Sequence, residues 1–136
     1  MMGLKLAPIA VGVAVDILGS LVIGIVAFIS TADGQSMTEP VNMLERFGTF
    51  GLALMLAVGL AQTGVGAFVA GRIAKVHYVR HGLAVGVVGL LLAILSGFGS
   101  DQGMPAWYEP ISYLGVLPVS ALGGYLASGL HRLDRV

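Results

Sequence analysis

The chain has 136 residues, of which 57% are hydrophobic and 10% charged, with a formal net charge of +0 and no cysteine. Soluble domains carry about 25% charged residues, so composition favours the membrane class before any motif is read. Neutral charge gives no electrostatic footprint for nucleic acid, and the lack of cysteine removes disulfides, thiolate metal sites and thiol catalysis.

A mean hydropathy of +0.94 and this length point to one domain, residues 1–136, built as an integral membrane protein. Four apolar runs follow in order: Leu6 to Ile29, Phe47 to Gly71, Gly82 to Phe98 and Ile111 to Leu130. Each approaches the ~20 residues that a helix needs to cross the hydrocarbon. Lipid offers no partner to open backbone groups, so helices are expected. The predicted fold class is all-α, with four transmembrane helices in an antiparallel bundle.

Lys5, Arg72, Lys75, Arg80, Arg132 and Arg135 flank these runs on one side, and Arg46 alone falls on the other. The acids Asp33, Glu39, Glu45, Asp101 and Glu109 fall with Arg46. The positive-inside rule then places both termini in the cytoplasm, in a plasma or inner membrane. Trp107, Tyr108 and Tyr113 fit an outer aromatic belt, and Tyr78 fits an inner one. Ser30-Thr31-Ala32 has the small residues of a cleavage site, but the first run is too long for a signal peptide and carries Asp16, so it is expected to remain.

Two loops resemble each other: "STADGQSMTEP" and "SDQGMPAWYEP". So do "GAFVAG" from Gly66 and "GGYLAS" from Gly123. Either the halves are repeated helical hairpins, as in transporters with parallel repeats, or Gly- and Ala-rich helices resemble one another by chance. The surplus "VNMLERFGTF" fits a short interfacial helix before helix 2.

Small residues recur four apart, which places them on one helix face. Helix 1 has Gly12, Asp16, Ser20 and Gly24; helix 2 has Gly59, Thr63, Ala67 and Gly71. Helix 3 has Gly82 and Gly86, then Gly89, Ala93 and Gly97; helix 4 has Ser120, Gly124 and Ser128. In lipid such stripes let helices approach closely. They serve packing within one chain or, where stripes are left over, assembly with a second copy or a membrane partner subunit.

Asp16 lies in the helix 1 stripe, so it is expected to face another helix. A carboxylate near mid-membrane costs several kcal/mol unless paired, hydrated or protonated. Counting residues from the cytoplasmic ends puts Asp16, Gln62, Thr63 and Ser120 at a common depth of roughly 14 Å. Pro118, beside Ser120, frees backbone groups that a polar partner can use. Two readings stay open: Asp16 fixes helix register, or it carries a proton or cation in transport.

"VAVDILGS" resembles the first helix of the small multidrug resistance transporters, four-helix proteins with an acid in helix 1 followed by a small pair, here Asp16, Gly19 and Ser20. The resemblance covers eight residues and implies a shared proton and drug site at Asp16. Those proteins use Glu at this place and carry a Trp in a later helix, whereas Trp107 here falls in a loop.

His77 and His81 are four apart, with His131 on the same side, but their basic surroundings oppose a cation; lipid phosphates suit them better. Ser128, His131 and Asp134 run down one helix and do not give triad geometry. Asp33, Glu39, Asp101 and Glu109 would hold a divalent cation only if the two loops met. Phosphate loops, dinucleotide fingerprints and zinc-protease helices do not occur. The expectation is a non-enzymatic membrane protein with no catalytic residue, metal or cofactor. It acts as a homo-oligomer or complex subunit, with a small transporter or channel using Asp16 as the alternative.

Overall fold

A computed structural model describes residues 4–30, 42–97 and 103–133, with 97 and 131–133 described by backbone alone. Four helices make up the described chain: α1 (Leu6–Ser30), α2 (Met43–Ala74), α3 (Tyr78–Gly97) and α4 (Tyr108–Leu133). All four contain stretches long and apolar enough to cross a membrane.

The start of α2 carries a recognisable cap. The Asn42 side chain accepts hydrogen bonds from the Leu44 and Glu45 amides, at 3.1 and 3.4 Å, satisfying two donors that α2 leaves open. Gly48 then breaks the helical path with φ 64 and ψ 171, conformations a residue with a Cβ resists. The first turn and a half of α2 is thereby set at an angle to the rest, which is the short preceding helix expected from "VNMLERFGTF". α2 ends on Lys75 in the left-handed region, its N–H donating to the Gly71 carbonyl at 3.2 Å. His77 is also left-handed, so the turn into α3 is tight.

The helices meet through small residues. On α1, Gly12 faces Gly66 and Ala70 of α2, Gly19 faces Gln62, and Phe28 faces Arg46, so partners on α2 fall in number as those on α1 rise. α2 and α4 run in step, with Gly64 beside Val119 and Gly71 beside Ala127. α3 meets α4 where Gly82 and Gly86 lie on Ser120, and Gly124 lies on Tyr78 and Val79. α2, α3 and α4 all touch one another, whereas α1 touches only α2 and α3. If a two-fold axis related the hairpins, α4 would meet α1 as α2 meets α3. Among the described residues it does not, so the hairpin likeness is not carried into the packing. Of the loops that share a sequence pattern, residues 31–40 of the first and 100–102 of the second lie outside the described residues.

Packing is graded along the bundle. One end holds the α1 start, the α2–α3 turn and the α4 finish. Nearly all buried positions lie in that half: Pro8, Gly12 and Asp16 on α1, the stretch from Thr63 to Ala74 on α2, His81 to Gly86 on α3, and Ser120 to Ala127 on α4. Leu52 is the sole buried position in the other half among the described residues. There α1 exposes Leu18, Leu21, Val22, Ile25 and Val26.

Candidate functional site

Where the tight half gives way to the loose half, α1, α2 and α3 converge on Asp16. The approach is set by backbone. A Cβ built on Gly66 would fall 2.7 Å from the Gly12 carbonyl oxygen and 2.9 Å from the Asp16 Cβ. Neither helix has room for a methyl group there, which is what brings the polar side chains into reach.

Asp16 is 8% exposed. Thr63 donates its hydroxyl to Asp16 Oδ1 at 3.1 Å and also lies 3.3 Å from the Gly59 carbonyl of its own helix. Asp16 Oδ2 points at α3, where a Cβ on Gly89 would sit 3.4 Å away. Hydrogen bonds from protein donors reach Oδ1 alone among the described residues. Gln62 lies one helical step away and donates Nε2 to the Val15 carbonyl at 2.9 Å. Its amide fills the space that a side chain at Gly19 would need. Asp16, Gln62 and Thr63 therefore form one polar seam, with Gly19 and Gly89 as the gaps that admit it.

Ser120 shares their depth but not their place. It is fully buried on α4, where its hydroxyl donates to the Val116 and Leu117 carbonyls at 2.7 and 3.0 Å, in the turn that contains Pro118. Gly86 and Gly82 of α3 cover it. Since α1 and α4 do not touch, equal depth cannot bring Ser120 to Asp16.

The remaining stripe residues divide. Gly12, Gly71, Gly82, Gly86 and Gly124 lie in helix contacts, whereas Gly24 and Gly59 have nothing within 4 Å of an added Cβ. Ser20 is exposed, and the Ser128 hydroxyl donates to the Tyr125 carbonyl of its own helix at 2.6 Å.

Two residues carry more than the sequence suggested. His81 is wholly buried, and both ring nitrogens are engaged: Nε2 accepts from the Lys5 backbone N–H at 3.0 Å, and Nδ1 lies 3.1 Å from the His77 carbonyl. A carbonyl only accepts and an N–H only donates, so the ring is the Nδ1–H tautomer. Lys5 Nζ adds a bond to the Ala74 carbonyl at 3.4 Å. His81 thus ties the start of α1 to the α2–α3 turn, and its lone pair is occupied by Lys5. Arg46, the basic residue on the acidic side, turns back onto α1. Its guanidinium donates to the Phe28 carbonyl at 3.1 Å and lies 4.2 Å from the Phe28 ring centroid. The sequence marks His81 as one of two histidines four apart and Arg46 as the exception to the charge asymmetry, but neither signal points to these contacts.

Of the other candidates, the side chains of His131 and Asp134, and Asp33, Glu39 and Asp101, lie outside the described residues. Gly103 does reach the α2 cap, with an added Cβ 2.5 Å from Asn42 Oδ1, so the two connections adjoin at their described ends. Groups of three or more metal-ligating side chains do not occur among the described residues. The chain matches no protein-family model, no characterised protein and no solved structure, and the seam is therefore read from its own geometry.

Proposed function

We propose that this is an integral membrane protein of four antiparallel spans with both termini in the cytoplasm, acting without catalysis through helix packing, as a homo-oligomer or as a subunit of a larger complex. The uneven use of small residues supports this most directly. Gly12, Gly71, Gly82, Gly86 and Gly124 of the tight half are filled by partners within the chain, whereas Ser20, Gly24 and Gly59 of the loose half remain open. Ser20, Leu21, Gly24, Ile25, Phe28 and Ile29 line an apolar groove on α1. A second helix gains close van der Waals contact there without a hydrophobic driving force, as helix pairs in lipid do. The chain has no cysteine, so Ser20→Cys introduces the only thiol. Oxidative cross-linking in native membranes is expected to give a dimer through Ser20→Cys and none through Leu114→Cys, on an exposed face of α4. A purified monomer with no Ser20→Cys cross-link refutes assembly through α1.

The second reading, ion- or proton-coupled transport, is favoured by one observation. Asp16 Oδ2 takes no protein hydrogen bond among the described residues and sits at the boundary of the loosely packed half. Intramembrane acids in such places often serve ion pathways. Proteoliposomes under a pH gradient and a potential separate the readings: flux lost on Asp16→Asn supports transport, and absence of flux in both supports packing.

A further inference from the structure

The second carboxyl oxygen of Asp16 lies in a narrow gap between α1 and α3. A Cβ built on Gly89 meets Asp16 Oδ2 at 3.4 Å and, outside its own helix backbone, nothing else within 4 Å. The opening beside Oδ2 is therefore about as wide as a methyl group. One side of it is sealed: a Cβ on Gly12, one turn along α1 in the tight half, would lie 2.7 Å from the Gly66 carbonyl oxygen and 2.9 Å from Val85 Cγ2. The other side continues. Gly59, one turn from Thr63 on the same face of α2, has nothing within 4 Å of an added Cβ.

No charged group faces this carboxylate from the helices packed on α1. Residues 47–71 of α2 and 82–97 of α3 contain no titratable side chain, and α4 does not touch α1. The polar side chains nearby are already committed. Thr63 gives its hydroxyl to Oδ1, and Gln62 gives its amide to the Val15 carbonyl. A carboxylate at this depth costs several kcal/mol unless it is paired, hydrated or protonated, and within the described chain Oδ2 has no partner to pair with.

We propose that Gly89 keeps Asp16 Oδ2 open to a proton and to nothing larger than the water that delivers it. This deepens the transport reading, on which its role rests, by naming the ion and the residue that selects it. A proton adds to Oδ2 and neutralises the carboxylate, while Oδ1 still accepts from Thr63. A hard metal cation takes about six oxygen ligands or more, whereas side chains bring the Asp16 carboxylate and the Thr63 hydroxyl to this point. An organic cation of the kind implied by the likeness of "VAVDILGS" to drug transporters is wider than a methyl group. The gap at Gly89 therefore departs from a site shared between proton and drug.

Infrared spectroscopy of the full chain in lipid reads the proton itself. The C=O stretch of a protonated carboxyl group, assigned by its loss in Asp16→Asn, is expected in the wild type and shifts on transfer to heavy water. Gly89→Ala sets a methyl group against Oδ2 and meets no other residue. It is expected to keep the band and the stability of the bundle to SDS, and to slow the shift several-fold. Leu91→Ala, on an exposed face of α3, leaves the shift at the wild-type rate. Absence of a band that Asp16→Asn removes, exchange at the wild-type rate in Gly89→Ala, or loss of stability in that variant overturns the site. Flux in proteoliposomes tests the reading separately. Proton flux lost in Asp16→Asn and reduced in Gly89→Ala supports both. Sodium flux that depends on Asp16 keeps the transport reading and overturns the proton. No flux of either ion, with the band and its slowed exchange present, removes transport and leaves the proton site standing.

Discussion

Gly12→Ala and Gly24→Ala are the same chemical change on the same helix, and the packing gradient predicts opposite outcomes. The added methyl at position 12 would lie 2.7 Å from the Ala70 Cβ, 2.7 Å from the Gly66 carbonyl oxygen and 2.9 Å from Val85 Cγ2. Carbon pairs settle at about 3.5–4.0 Å, so α1 must withdraw by nearly 1 Å. Two of the three obstacles are backbone or the first atom of a side chain, and neither rotates away. Overpacking of this kind costs about 1–3 kcal/mol. Withdrawal also stretches the Thr63 to Asp16 bond from 3.1 Å past hydrogen-bonding range, a loss of ~0.6 kcal/mol for an average interhelical bond in a membrane. Better helix propensity returns up to ~1 kcal/mol. The net expectation is a loss of about 1–3 kcal/mol for Gly12→Ala. At Gly24 nothing of the same chain lies within 4 Å, so in the monomer propensity acts alone and Gly24→Ala is neutral or stabilised by up to ~1 kcal/mol. Unfolding in mixed micelles, titrated with SDS and followed by near-ultraviolet circular dichroism, measures both. Equal stability of the two variants refutes the account of a tight and a loose half.

Thr63→Val keeps the shape and removes the donor to Asp16; a loss of ~0.6 kcal/mol, and at most ~1.7, is expected in the same titration. Arg46→Gln removes the guanidinium from the Phe28 carbonyl and ring; amide exchange over the last turn of α1 is expected to rise several-fold with exchange in α3 unchanged. His81→Ala opens a cavity in a fully buried site and strands the Lys5 N–H, which together cost about 2–4 kcal/mol. Its signature is faster amide exchange at residues 5–9, and exchange there at the wild-type rate would mean that His81 does not hold the α1 start.

The bundle is legible in the sequence to different depths. α1 matches its apolar run to within one residue, because Asp16 and Ser20 stand singly in that run and the sequence turns polar only after Ile29. α2 begins at Met43 and not at Phe47, because Asn42 caps it while Glu45 and Arg46 hide the helix from a hydropathy reading. α3 begins at Tyr78 and not at Gly82, because its first turn is polar, and the burial of His81 in that turn is a tertiary fact. α4 begins at Tyr108, three residues before its apolar run. The count of depth along each helix places Gln62 and Thr63 beside Asp16, since α1 and α2 are consecutive and their relative height follows from the connection. The same count misplaces Ser120. Depth fixes height, whereas contact also needs the two helices to be neighbours, and that depends on which faces α2 and α3 turn inward. The stripes show a related ambiguity. Gly12 and Gly24 have identical local signals, and only the path of α2 past α1 separates a filled glycine from an open one.

That path makes Asp16 hard to explain by packing alone. The bond from Thr63 needs an acceptor at position 16, and an asparagine amide oxygen would accept it in the same geometry without the cost of a carboxyl group. Gly12 and Gly66 set the approach of α1 and α2 whatever polar group stands at 16. Register is also fixed independently by Gln62 on the Val15 carbonyl and by His81 on the Lys5 amide. With three other devices holding α1 in place, the second carboxyl oxygen, turned toward Gly89 and the loose half, is the one feature of the seam that packing does not require. A role in assembly has to find its donor for Oδ2 on another chain. A role in transport has to find it in a proton, a cation or water arriving from the loose half. Either way the group that completes Asp16 comes from outside the four helices described, and the substitution that removes its charge while keeping its shape is the one on which the two readings part.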